Sequence, residues 1–244
     1  MNLTVHESSL YLHKLGHTLK SHRSVEMVLA PSMLAIQSLS LQVERKHFKL
    51  AAQNLYWKDE GAFTGEVSAH QLRGLVSYAI IGHSERRHVF GEHDKDVRNK
   101  VQAAVRNGIT PILCVGETAH ERASKETSGV LHDQIVGGLA NLTAEEVSEL
   151  VIAYEPVWAI GTGDNALPSD VENAAHIIRR QVDHLYGRET GATVRVLYGG
   201  SVNAQNAASY LGISSIDGLL VGGASLKVHE FETIIEAAFE AGKK

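Results

Sequence analysis

Glu155 is the residue to which the most chemistry attaches. It follows the apolar run Val151 to Tyr154, which has the length and character of a strand buried on both faces, and it precedes Pro156, which stops that pattern. A carboxylate there costs desolvation free energy unless a substrate or a partner engages it. A proton-transfer base and a structural ion pair both meet that condition, and this stretch alone leaves both open. Val157, Trp158, Ala159 and Ile160 come next, then Gly161 and Gly163, an apolar loop of the kind that closes over a ligand. His83 and Glu85 follow a second apolar run, Tyr78 to Gly82. Gly199 and Gly200, beside Ser201, follow another, and Gly222 with Gly223 follow one more. Glycine lets backbone N–H groups approach an anion, and a helix beginning after Gly223 would add its positive end. The two pairs read as a phosphate grip, with a tight turn as the plainer use of each. A carboxylate base, a histidine and a phosphate grip describe proton transfer beside a carbonyl on a small sugar phosphate, for which no cofactor is required.

Those residues need a frame that gathers strand ends. The pattern places strands at Val25 to Ala30, Phe48 to Asn54, Tyr78 to Gly82, Thr110 to Val115, Val151 to Tyr154, Val194 to Tyr198 and Gly218 to Val221. Helices are expected from Thr4 to His22, with capping-box spacing at Thr4 and Glu7, and from Leu34 to Val43. Others begin near Ser68, carry Val97, Val101, Ala104 and Val105 before a stop at Gly108, or carry Val130, Leu131, Ile135 and Leu139. One more runs past Val171 and Leu185 to Gly187, and the last uses Phe231, Ile234, Ile235 and Ala238. Strands alternating with amphipathic helices are parallel β/α units, here seven strands behind an opening helix. An eight-fold barrel missing its first strand fits better than a doubly wound sheet, since no GxGxxG turn follows any strand. Every unusual residue then falls at a strand's C-terminal end, the face where barrels place their active sites.

Composition narrows the alternatives. At 244 residues with no linker, one domain over 1–244 is the expectation. Lys and Arg total 23 against 28 Asp and Glu, with both signs interspersed, which argues against nucleic acid or an anionic membrane as main partner. One cysteine, no membrane-length apolar run and no signal-peptide core fit the cytoplasm. The 14 histidines are scattered without HExxH spacing, so no metal site is expected, and Cys114 reads as a buried small hydrophobe.

The runs AYEPVWAIGTG (153–163), IIGHSERR (80–87), LYGGSV (197–202), GLLVGGASL (218–226), QNLYW (53–57) and GAFTGEVS (61–68) resemble the triosephosphate isomerase family, in order and at its spacing. The resemblance covers essentially the whole chain and implies a (β/α)8 TIM barrel. It implies that Glu155 moves a proton between adjacent carbons of a triose phosphate, interconverting dihydroxyacetone phosphate and glyceraldehyde 3-phosphate. His83 would act as a neutral donor to the enediolate, an arrangement for which this family is itself the standard worked case. Glu85 would join the catalytic hydrogen-bond network, while Gly161, Ser201, Gly222 and Gly223 would offer main-chain N–H groups to phosphate. Pro156 to Ala166 would be a lid, although Asp164 stands where the family more often has lysine. A homodimer is implied through the Phe63–Val67 loop, whose plainer reading is an exposed βα connection.

The resemblance also implies a departure. The family begins with a strand ending in Asn-x-Lys, and this chain opens at Met1, Asn2, Leu3 and Thr4, which match the family's residues just after that lysine. The expectation is therefore seven of eight strands, unpaired edges beside the gap, and weak or absent activity in the chain as written, with the gene encoding the complete enzyme. Two other readings stay in view: a metal-assisted sugar-phosphate isomerase or epimerase on the same barrel, and a non-catalytic barrel fragment serving as a scaffold.

Overall fold

The computed structural model describes residues 1–19, 24–160 and 165–243. Its centre is a parallel sheet of seven strands in sequential order. They are β1 (Met27–Leu29), β2 (Phe48–Ala52), β3 (Tyr78–Ile81), β4 (Thr110–Val115), β5 (Val151–Tyr154), β6 (Arg195–Tyr198) and β7 (Gly218–Leu219). All residues of β3 and β5 are buried, as continuous apolar runs require, whereas β7 is half-buried throughout. Among the described residues β1 pairs only with β2 and β7 only with β6, as expected for a barrel with seven of its eight strands.

The sheet is curled, and one ion pair measures how far. In a flat sheet β1 and β6 would lie five strand spacings apart, about 24 Å. Yet Arg195 Nη1 of β6 donates to Glu26 Oε2, just before β1, at 2.8 Å. Tyr78 of β3 donates to the same carboxylate at 2.8 Å, and Lys49 of β2 pairs with it as well. Above this polar floor the inward side chains Ala51, Ile80, Ile112, Cys114, Val151 and Ala153 fill the interior. A larger apolar layer lies between the strands and the surrounding helices, including Leu12, Leu15, Val97, Leu131, Ile152 and Val171.

The helices follow the apolar spacing, with differences where caps intervene. The first is Val5–Thr18, closed by the expected Thr4–Glu7 capping box, and the rest of the stretch expected to reach His22 lies outside the described residues past Leu19. The helix expected near Ser68 is only Ala69–Leu72, because Arg73 turns out of it before Gly74 at φ 79°. The segment beyond Glu117 forms two helices, Ala119–Ala123 and Thr127–Leu139, separated at Lys125, whose φ of 61° is incompatible with a continuous helix. Pro168–Tyr186 ends at Gly187 as its spacing predicts. No helix starts directly after Gly223: a 3₁₀ turn, Gly223–Leu226, comes first, and the helix Val228–Ala241 begins only after extended Lys227. The helix's positive end expected directly after Gly223 therefore lies past Lys227 instead, away from the glycine pair in sequence.

Candidate active site

Parallel strands put all C-terminal ends on one face, so His83, Glu155, Ser201, Gly222 and Gly223 share it. The fold brings the first two into direct contact. Glu155 follows β5, and its N–H donates to Val115 O of β4 at 2.8 Å. The residue is 2% exposed, so the carboxylate must find partners within the protein. Among them, Ser84 N–H donates to Oε2 at 2.9 Å, and His83 Nε2 lies 3.0 Å from Oε1.

The short helix Ser84–His88 creates this arrangement. His83 is its N-cap, and the Glu85 N–H donates to His83 Nδ1 at 3.3 Å. A backbone N–H can only donate, so Nδ1 is the acceptor and the ring's proton sits on Nε2, facing Glu155. Burial disfavours charge on His83, but the hydrogen bond and charge of Glu155, with the charge of Glu85, outweigh it and raise its pKa above the ordinary 6.5. Protonating the ring costs the Glu85 contact, since the bond from Glu85 N–H to Nδ1 is made by the neutral ring alone. Arg87 holds the turn from below, donating to Gly82 O at 2.7 Å and Cys114 O at 3.3 Å while pairing with Asp94 at 2.6 Å. Cys114 is fully buried, as its sequence setting predicts, and burial followed by the charge of Glu155 pushes its thiol well up.

The remaining residues are placed less tightly. The Glu85 side chain is exposed, and this residue gives the site its backbone N–H and, through space, its charge. Ser201 Oγ donates to Ala159 O at 2.5 Å, tying the glycine turn after β6 to the loop after β5. Gly222 and Gly223 are exposed with nothing within 4 Å of a notional Cβ, so their backbone faces open space. Gly161, and with it 161–164 of the expected lid, lies outside the described residues.

Sequence reasoning missed several neighbours. Glu117 is fully buried and accepts from Trp158 Nε1 at 2.9 Å and Tyr154 OH at 3.1 Å. Like Glu155 it is a carboxylate just past a buried strand, so the same rule could have found it. Arg122 stacks on Trp158 at 3.9 Å and pairs with Asp170 at 2.9 Å, anchoring the start of the apolar loop. Gly116 went unnoticed because no motif marks it, yet a Cβ there would meet Glu155 O at 1.8 Å. Gly199, read as part of a phosphate turn, also makes room for the base, since its Cβ would stand 3.0 Å from Glu155 Cγ.

Comparison with known proteins yields one consistent answer. The family model described as "Triosephosphate isomerase" matches residues 1–238. Proteins named triosephosphate isomerase from Trichlorobacter lovleyi and Carboxydothermus hydrogenoformans are each 43% identical over 233 residues, covering 95% of this chain and 93% of the relative. One from Acetivibrio thermocellus is 47% identical over 210 residues, covering 86% of this chain and 84% of the relative.

Proposed function

This chain belongs to the triosephosphate isomerase family, and from that premise we propose how its residues perform the reaction. The reaction is the interconversion of dihydroxyacetone phosphate and glyceraldehyde 3-phosphate, a step of glycolysis and gluconeogenesis. Glu155 is the base. It leaves Ser84 N–H and His83, takes a proton from the hydroxymethyl carbon beside the carbonyl, and returns it to the adjacent carbon. The electron pair released from that C–H bond forms the enediol double bond, and the carbonyl oxygen takes up the negative charge. His83 Nε2–H, freed from Glu155 Oε1, donates to the enediolate oxygens as a neutral imidazole. As the second carbon is reprotonated, the hydroxyl proton of the first carbon passes by way of His83 to the former carbonyl oxygen, so electrons and protons balance within the substrate and the step calls for no oxidant or reductant. Glu85 fixes the His83 tautomer through its backbone N–H. Ser201, Gly222 and Gly223, with Gly161 outside the described residues, offer N–H groups to the phosphate.

The observation that carries this reading is the Glu155 carboxylate held on Ser84 N–H at 2.9 Å and His83 at 3.0 Å, a buried base beside its electrophile. An E155Q variant should lose about 10²- to 10⁴-fold in kcat with KM little changed. For the unaltered protein, whose turnover is expected to be weak, isomerisation in D2O should place deuterium on the carbon that receives the proton. Unchanged turnover in E155Q, or product free of solvent deuterium, would overturn the assignment.

We further propose that the protein acts as a homodimer in the cytoplasm. Phe63 is 39% exposed, and Val89 and Phe90, 73% and 68% exposed, directly follow the helix that carries the His83 turn. Apolar side chains left open beside a site are what a second copy would cover. Sedimentation should give a dimer for the unaltered chain and a monomer for F90E; a monomer for both would refute the interface. Among the described residues no helix is long and apolar enough to cross a membrane, and cell fractionation should recover the protein with the cytoplasmic enzymes.

A further inference from the structure

The loop after β2 and the helix Asp94–Arg106 leave an open groove of about 390 Å³ between them. Trp57, Lys58 and Asp59 form one wall. Asn99, Gln102 and Arg106 form the other, at spacings of three and four residues that put them on one face of the helix. None of the residues assigned above to the active site or to the dimer lines this groove.

Hydrogen bonds between the walls hold them in place. Arg106 Nη2 donates to Asp59 Oδ1 at 3.1 Å and to Trp57 O at 3.3 Å, and Asn107 Nδ2 donates to Asp59 Oδ1 at 3.0 Å. The bond from Arg106 first, and then the one from Asn107, hold the Asp59 carboxyl below its usual 3.8, so at neutral pH it is an acceptor. The Trp57 ring is steadied by Tyr56, stacked on it with centroids 4.0 Å apart. Gln102 is anchored through Nε2, which donates to Ala140 O at 2.9 Å and leaves its carbonyl oxygen over. Two groups carry no such tie. The Asn99 carboxamide and the Lys58 ammonium have no hydrogen-bond or ion-pair partner among the described residues.

A preformed groove with one indole and five polar side chains is a poor lining for an apolar ligand, and it suits a sugar. The indole offers its apolar surface to the C–H face of a sugar ring, while Asp59, Asn99 and Gln102 offer acceptors and donors to the hydroxyls. Charge adds a preference. Arg106 is neutralised by Asp59, so Lys58 is the surplus cation of the walls and favours an anionic substituent.

We propose that this groove binds a sugar phosphate, at a site separate from the one that holds Glu155 and His83, with Lys58 on the phosphate and Trp57, Asp59, Asn99 and Gln102 on the sugar. The probe is glucose 6-phosphate, titrated by calorimetry into the unaltered protein. It should bind with Kd below about 1 mM, and glucose and inorganic phosphate should each bind about tenfold more weakly, because each makes only part of the contacts. Lys58 is exposed and Asn99 is half-buried, so K58E and N99A should both fold, with unchanged melting temperatures. K58E should weaken glucose 6-phosphate about tenfold and N99A about fivefold, while binding of glucose alone should fall in N99A and not in K58E. Full affinity retained in both variants would put the probe elsewhere on the protein and overturn the groove. No measurable heat up to about 10 mM probe would overturn it as well. Inorganic phosphate bound as tightly as glucose 6-phosphate would overturn the sugar contacts, and with them the proposal.

Discussion

The Glu155 carboxylate is bonded to Ser84 N–H and to His83, so the proton abstraction proposed for Glu155 has to begin by giving up both contacts. That makes the state of His83 decisive. A neutral ring releases the carboxylate for the loss of one hydrogen bond; an imidazolium adds an ion pair to the bond and holds it back. Because the fold raises His83 above 6.5, its charged form stabilises the folded chain fully below the unfolded value, and that contribution disappears as pH rises through the folded value. The expected outcome is an acid limb in kcat/KM with its midpoint above 6.5, matched by the His83 ring resonances in an NMR titration. In E155Q the ring should titrate at lower pH, since its main charge-stabilising partner is gone; a midpoint unmoved by that substitution would contradict the account.

The elements matter through where they end. β4, β5 and β6 stop at adjacent points, so Glu155 is flanked by residue 116 on one side and residue 199 on the other, and both are glycine. At 116 the added Cβ would meet backbone, not a side chain that can rotate away, so strand β5 or the turn after β4 would have to shift. G116A should cost about 1–3 kcal/mol in urea unfolding and also lower kcat, because the displaced backbone is that of Glu155 itself. A stable, fully active G116A would show that the strand ends are looser than this packing implies. The strands themselves were legible because buried parallel strands are continuous apolar runs, and the seven expected ranges match those observed to within two residues at each end. Helix lengths were less legible. Breaks at Lys125 and Lys227 are set by local backbone conformation that apolar spacing does not encode.

At the scale of the whole molecule, curling brings β1 back toward β6 and builds the floor of the barrel. Glu26 gathers Lys49, Tyr78 and Arg195 there, and Arg195 Nη2 also donates to Tyr78 OH at 3.3 Å. Burial alone would raise Glu26, but these donors outweigh it and hold its pKa below 4.5. Its contribution to stability is therefore present above the unfolded value and lost as pH falls through the depressed folded one. E26Q should lower the urea midpoint at neutral pH and flatten the decline in stability toward acid. If wild type and E26Q lose stability in parallel between pH 5 and 3, the floor cluster does not link the strands as described.

The sequence by itself determined the order and identity of the strands, the barrel they form and the family to which the chain belongs, because apolar periodicity and the AYEPVWAIGTG run are local properties of the chain. It also pointed to Glu155 and His83 as a pair. Tertiary structure decided what the pair does before substrate arrives: Glu155 meets Ser84 N–H across 71 residues of sequence, with Gly116 making room for its backbone. It also decided that Tyr210 reaches Ala166 and that Arg195 reaches Glu26. Such contacts depend on strand register and the curl of the sheet, which arise when distant segments pack together and leave no periodic trace in any one of them.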